Sequence, residues 1–301
     1  MSWRPSFLSL FDEEAAQLMK KTYPILEPHS PSPALRGSCA LAMMIKAPRA
    51  GESKTRLVPP LAPDEAASLS VCFLRDTAAN IAGVSSQEGA EGVAVYTPVG
   101  AEAVFDGLLP ETFKLLAQRG EGFGERLLYA AEDLLAVGYE SLCLIDSDSP
   151  TLPTALLQAA VAALARAGDR VVLGAADDGG YYLIGLKHAH RHLFENIDWS
   201  TPKVFSQTVE RAAEINLEVE LLPLWYDVDD APTLRRLCDE LFARSGRDSP
   251  RDGLVRYEAP HTTEYLARLF PGYSRPKDDN AFGRATAQSH WESRIDGEQS
   301  L

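Results

Sequence analysis

The sequence predicts an α/β fold: a mostly parallel sheet covered by helices on both faces. Two observations carry that expectation. Short apolar runs ended by turn residues recur through the middle of the chain, at Cys39–Lys46, Gly92–Thr97, Leu142–Ile145 and Arg170–Gly174, each the length of a buried strand. Between them lie longer segments with helical spacing, such as Phe123–Val137, where Leu127, Leu128, Ala131, Leu134 and Leu135 share one side. Strands that alternate with helices pair in parallel and are buried on both faces.

Taken in order, residues 1–37 read as a helical extension and a Pro-rich linker. Phe7, Leu8, Leu10, Phe11, Ala15 and Leu18 make one apolar helix face, and Pro24, Pro28, Pro31 and Pro33 stiffen the linker behind it. That face suits the core or a second copy of the chain, which would make a homo-oligomer. Residues 38–244 read as a single nucleotide-binding domain. After the first strand come a basic loop, a helix from near Asp64, the second strand and a short strand at Phe113–Gln118. A helix is expected at Pro153–Arg166, with its proline in the first turn. Tyr181–Leu186 reads as extended, Thr201–Ile215 as helical, Val219–Leu222 as extended and Pro232–Arg244 as the last helix. Residues 245–301 read as a C-terminal extension with one short helical pattern at Thr262–Leu269 and a disordered end from Lys277.

Composition excludes some partners. The 301 residues carry a net charge of −14 with a pI near 4.9, which disfavours nucleic acid and anionic membrane. No apolar run is long enough to span a bilayer, and the acidic start Asp12-Glu13-Glu14 is no secretory signal. Cys39, Cys72, Cys143 and Cys238 are widely spaced, which fits free thiols in a reducing cytoplasm. His188, His190 and His192 alternate in a loop or short helix, a weak metal pattern that reads as a solvated surface cluster.

Four segments carry chemistry. The run after Ile145 is Asp146-Ser-Asp148, two carboxylates at the carboxyl end of a buried strand, where ligands of open α/β sheets bind. Carboxylates so close repel unless a cation joins them, and Mg²⁺ or Mn²⁺ leaves coordination sites for substrate phosphates. The loop Lys46–Leu57 concentrates Lys46, Arg49, Lys54 and Arg56 with Gly51 and Ser53; it reads as a pyrophosphate cradle. It is neither a Walker A loop nor a dinucleotide fingerprint. Gln118–Arg126 places Gly120, Gly122 and Gly124 before a helix whose start offers N–H groups, with Gln118 suited to a base edge and Arg126 to phosphate. Asp177-Asp178-Gly-Gly-Tyr-Tyr182 reads either as a hairpin turn or as carboxylates that bind an acceptor hydroxyl. Trp225–Asp230 offers Asp227 and Asp229 to the same metal, and one aspartate to cap the next helix.

Together these segments resemble a family of bacterial nucleotide-diphospho-sugar transferases with the GT-A fold, the radical-SAM/selenodomain-associated or arsenosugar-biosynthesis type. The matching elements are Lys46-x-Pro-x-x-Gly-x-x-Lys-Thr-Arg-Leu57, Gln118-x-Gly-x-Gly-x-Gly-Glu-Arg-Leu127, Asp146-Ser-Asp-Ser-Pro-Thr-Leu-Pro153, Asp178-Gly-Gly-Tyr-Tyr-Leu-Ile-Gly-Leu186, Trp199-Ser-Thr201 and Asp227-Val-Asp229. The chain is more distantly similar to guanylyltransferases of the molybdenum-cofactor and 2-phospho-lactate type. The resemblance implies Mg²⁺ or Mn²⁺ on Asp146 and Asp148, completed by Asp227 or Asp229. It implies phosphate contacts from Lys46, Lys54 and Arg56, a base or ribose contact from Gln118, and Asp178 as the base toward an acceptor. Asp146 stands where relatives carry Gly, so Asp148 is the firmer ligand. The expected function is metal-dependent glycosyl transfer from a nucleotide sugar to a small-molecule acceptor. The alternative is nucleotidyl transfer from an NTP with release of pyrophosphate. A third reading is a silent partner protein acting through the Phe7–Leu18 helix.

Overall fold

The structure, a computed structural model, describes residues 23–86, 89–242 and 253–271. The Phe7–Leu18 helix and the end from Lys277 lie outside the described residues. β1 (Cys39–Lys46) is buried over most of its length, and its side chains alternate between two cores. Leu41, Met43 and Ile45 face one layer, and Ala40 and Ala42 the other. A strand buried on both faces needs neighbours on both sides, and β1 has them: β2 (Ala90–Thr97) and β4 (Ser141–Ile145) both pair with it in parallel. β3 (Lys114–Ala117) adds to β2. On the other side follow β6 (Tyr181–Leu186), β5 (Arg170–Ala176) and β7 (Glu218–Trp225), giving the order β3-β2-β1-β4-β6-β5-β7. β6 runs antiparallel to β4 and β5.

Helices cover both faces, as the sequence predicts. α1 (Pro63–Ser85), α3 (Thr154–Ala165), α5 (Ala231–Phe242) and α6 (Pro260–Leu269) pack on the face of Leu41 and Met43; α2 (Phe123–Val137) and α4 (Val204–Glu214) pack on the opposite face. α1 opens with proline in its first turn, and Glu65 Oε2 accepts from the Ala62 N–H at 3.0 Å. α6 is docked by the buried Asp76 of α1, which accepts from the N–H groups of His261 (3.0 Å) and Thr262 (2.7 Å), a carboxylate meeting a helix N-terminus. Residues 23–26 lie against the β3 edge, and Ser32 N–H donates to Val137 O at the end of α2 at 2.8 Å. Leu26 N–H donates to Leu115 O at 2.7 Å, and the buried Tyr23 hydroxyl donates to Leu109 O at 2.7 Å. All four cysteines are free; Cys39, Cys143 and Cys238 are buried. Among the described residues no helix is long and apolar enough to cross a membrane.

Candidate active site

The carboxyl ends of β1, β4 and β5 open on one side of the sheet, and the loops leaving them, together with the loop after β7, build the site. The loop after β1 turns back at Lys54, which adopts the left-handed conformation (φ 51°) rare for a side-chain-bearing residue. That turn sends the ammonium inward. Lys54 Nζ lies 2.8 Å from Asp148 Oδ1 and 2.9 Å from Asp229 Oδ1, and donates to Val228 O at 2.7 Å. Its side chain is 7% exposed. Burial alone would lower its pKa, but the carboxylates of Asp148 and Asp229 outweigh burial and hold it above the ordinary lysine value. Arg56 pairs with the second oxygen of Asp229. The loops after β4 and β7 are joined directly, Val228 N–H donating to Asp148 O at 2.9 Å. Three sequence-distant segments thus meet at one ammonium, beside a cavity of about 300 Å³ lined by Lys46, Ser53, Lys54, Thr55, Arg56, Ser147, Asp148 and Asp229.

Asp146 and Asp227 lie close enough to Asp148 to feel its charge. Asp146 Oδ2 is 2.9 Å from Ser149 Oγ, which is also 3.0 Å from Tyr226 O. Burial, then the neighbouring Asp148 charge, pushes the Asp146 carboxyl well above the usual range. Asp227 is pushed to about 7 by burial, then by Asp229 and Asp178. Asp178 accepts from Gly180 N–H at 2.8 Å within the turn that joins β5 to β6, and Asp177 pairs with Arg236. Asp230 is the helix cap, accepting from Thr233 N–H at 2.9 Å. That frees Asp229 for the cleft.

The four aspartates do not form one closed cage. Asp229 spends both oxygens on Lys54 and Arg56. Among the described residues the three-residue group with ligand atoms within 4.8 Å of one another lies elsewhere. The Asp146–Asp148–Asp227 side nevertheless fits a hard cation. Its carboxyls are crowded, and of the three only Asp148 is paired with Lys54. Mg²⁺ needs only one or two carboxylates when substrate phosphates supply other oxygens.

The glycine-rich loop behaves differently. Gln118 Nε2 donates to Ile45 O (3.1 Å) and Val95 O (2.7 Å), tying the end of β3 to β1 and β2, so its amide nitrogen is committed to the backbone. Gly120 (φ 104°) packs so tightly that a Cβ would sit 3.0 Å from Tyr129 and Glu125. The N–H groups expected to be open at the start of α2 are partly taken, since Glu125 Oε2 accepts from the N–H of the cap residue Gly122 at 3.5 Å as well as from Glu121 N–H at 3.0 Å. Arg119 is consumed by Asp133 and Glu132. Arg126 is left: its Nε is buried with no hydrogen-bond partner among the described residues, and its guanidinium lies 5.8 Å from the Phe123 ring. Phe123 in turn meets Trp199 edge-on at 5.4 Å. Lys46 is half exposed and pairs loosely with Glu52 at 3.4 Å.

Sequence reasoning missed the Val228 carbonyl and the Ser149 hydroxyl. Backbone acceptors have no sequence signal, but a serine directly after Asp-x-Asp was visible.

Residues 80–201 match DUF2064, a family of uncharacterised proteins conserved in bacteria. That stretch holds the segments at 118–127, 146–153, 178–186 and 199–201, and ends before Asp227. A crystal structure from Desulfovibrio desulfuricans, provisionally named a nucleotide-diphospho-sugar transferase, matches with a TM-score of 0.66 and 28% identity over 85% of this chain and 98% of that one. The chain has the nucleotide-diphospho-sugar transferase fold. More distant likenesses to this transferase fold include CMP:2-keto-3-deoxy-manno-octonic acid synthetase with CTP (TM-score 0.42, 9% identity, 67% of this chain and 97% of that one). Another is 4-diphosphocytidyl-2C-methyl-D-erythritol synthase from Anaerococcus prevotii (0.44, 11%, 68% and 97%). No curated protein matches the sequence.

Proposed function

We propose that this protein is a metal-dependent glycosyltransferase that takes a nucleotide-diphospho-sugar donor and a small-molecule acceptor. The observation that carries the reading is the buried ammonium of Lys54 between Asp148 and Asp229, with Arg56 beside it, at the wall of a polar cavity that Lys46 also lines. Likeness to the Desulfovibrio protein supports it.

In this reading Lys46 and Arg56 contact the diphosphate and Lys54 adds charge behind them: its three N–H groups are taken by Asp148, Asp229 and Val228 O, which fix the ammonium before substrate arrives, so little reorganisation is needed as charge develops. Asp146 and Asp148 with Asp227 would hold Mg²⁺ or Mn²⁺, which would supply further positive charge to the leaving diphosphate. Asp178, on the turn facing Asp227, takes the acceptor hydroxyl proton. The acceptor oxygen bonds to the anomeric carbon as the bond from that carbon to the diphosphate oxygen breaks, and the nucleoside diphosphate leaves. Arg126, with its unsatisfied Nε, binds an anionic part of a substrate.

The test is calorimetry with UDP-, GDP- and dTDP-sugars and with free NTPs, each with Mg²⁺ or Mn²⁺, followed by product assay. Metal-enhanced binding of a nucleotide sugar, lost in Asp148→Asn with the fold intact, supports the reading. Binding of NTPs alone, with pyrophosphate released on adding an acceptor, replaces it with nucleotidyl transfer. Turnover unchanged in Asp148→Asn refutes the site.

A further inference from the structure

A second cluster lies at the opposite edge of the sheet. β5 and β6 run antiparallel, so the turn entering β5 and the segment leaving β6 lie side by side. Asp169 is on the first, and His188 and His190 are on the second. His190 Nε2 is 2.7 Å from Asp169 Oδ2, and His188 Nδ1 is 3.1 Å from Asp169 Oδ1. One nitrogen from each imidazole and one carboxylate oxygen lie within 4.8 Å of one another. The His188 approach lacks hydrogen-bond geometry, and Asp169 Oδ1 is buried with no hydrogen-bond partner among the described residues. A cavity of about 320 Å³ opens beside Asp169 and His190, with His192 and Asn216 on its wall.

We propose that Asp169, His188 and His190 form a binding site for a divalent transition-metal ion of the zinc class. Two imidazoles and a carboxylate suit Zn²⁺, Co²⁺, Ni²⁺ or Cu²⁺ better than Mg²⁺, which prefers oxygen. Ligand atoms about 2.0–2.1 Å from a tetrahedral ion stand about 3.3 Å apart, so the pair at 3.1 Å needs to open by about 0.2 Å and the pair at 2.7 Å by about 0.6 Å. The ion satisfies the orphaned Oδ1. The seven residues of β5, about 20 Å of strand, separate this site from Asp177. The ion therefore clasps the entry of β5 to the exit of β6 and takes no part in turnover. The sequence pattern alone pointed to a solvated surface cluster; Asp169 is what changes that reading.

The test titrates the tag-free full-length chain with Zn²⁺ in excess Mg²⁺, which occupies oxygen-only sites. One equivalent binds and raises Tm. Loss of outer hydrogen-bond partners already costs metal sites roughly 10–100-fold, so His188→Ala and His190→Ala each weaken binding at least that much and abolish the Tm rise. Electron paramagnetic resonance of the Cu²⁺-loaded wild-type chain, which needs no variant, shows coupling to two imidazole nitrogens. Absence of saturable binding, binding indifferent to both substitutions, or a Cu²⁺ spectrum without nitrogen coupling overturns the proposal.

Discussion

The two edges of the sheet meet the same electrostatic problem with different means. At the carboxyl edge, Asp148 and Asp229 converge and a lysine side chain sits between them. At the amino edge, one aspartate meets two imidazoles. The first arrangement keeps a permanent positive charge in place and leaves the flanking Asp146 and Asp227 short of one. The second pairs its aspartate with imidazoles and so presents nitrogen as well as oxygen. A built-in ammonium and hard carboxylates suit phosphate with Mg²⁺ or Mn²⁺; imidazoles suit a borderline ion. Residue type, more than acidity, therefore divides the two edges.

The largest effect is expected at Lys54. Lys54→Met keeps the bulk of the side chain beside the Phe73 ring, 5.5 Å from Nζ, but removes the charge. Loss of a positioned stabilising donor typically costs roughly 10²–10³ in kcat, and a fall of that size is expected in donor turnover, while Zn²⁺ affinity at the amino edge stays unchanged. Turnover within error of wild type would remove Lys54 from the chemistry. A parallel loss of Zn²⁺ binding would show that the two edges are not independent.

Next comes pH. A carboxyl whose pKa is raised by folding favours the folded state while protonated. That contribution is whole below the unfolded value and is lost as pH climbs through the folded one. For Asp227 the window runs from the ordinary aspartate range to about 7, and Asp146 moves in the same direction. In chelator, Tm should therefore decline across that window. Asp227→Asn, which stays neutral, should flatten the decline, and saturating Mg²⁺ should reverse it at the upper end. A flat wild-type profile with and without Mg²⁺ would mean that these carboxyls are not crowded.

Arg126 is the third test. A charged hydrogen bond contributes about 1.5–3 kcal/mol, so Arg126→Ala should raise KM by roughly tenfold or more and leave kcat nearly intact. Tm should hold or rise, because the Nε it removes is unsatisfied in this structure. An unchanged KM for both substrates would reduce Arg126 to packing against Phe123.

Much of the frame was legible from local pattern. The apolar run ending at Ile145 marked β4, and its Asp146-Ser-Asp148 tail marked the edge that carries the candidate site, because strand termini and turn chemistry are local properties. The direction of β6 was less legible. Only four residues, Asp177 to Gly180, separate it from β5, and so short a link forces an antiparallel return. Side-chain direction was the main gap. Gln118 reads as a ligand by residue type, yet its amide closes the backbone of β1 and β2. Asp229 reads as a metal ligand, yet it is neutralised by Lys54 and Arg56. Asp169 carried no signal, because its histidine partners lie beyond β5 and β6 and only strand pairing brings them together.

The smallest expected effect separates the histidines themselves. Alternate residues share a face only while the chain is extended. His188 and His190 do so, and their rings meet edge-on at 5.9 Å. His192 lies inside the short 3₁₀ segment Arg191–Phe194 and turns toward Glu214 instead, with Nε2 2.6 Å from Oε2. His192→Gln should therefore leave Zn²⁺ binding and donor turnover unchanged, with at most a slight fall in Tm from a lost surface pair. If it instead weakens Zn²⁺ as much as His188→Ala does, the ion lies deeper in the cavity, where His192 forms part of the wall, and the ligand set at this edge must be redrawn around His190 and His192.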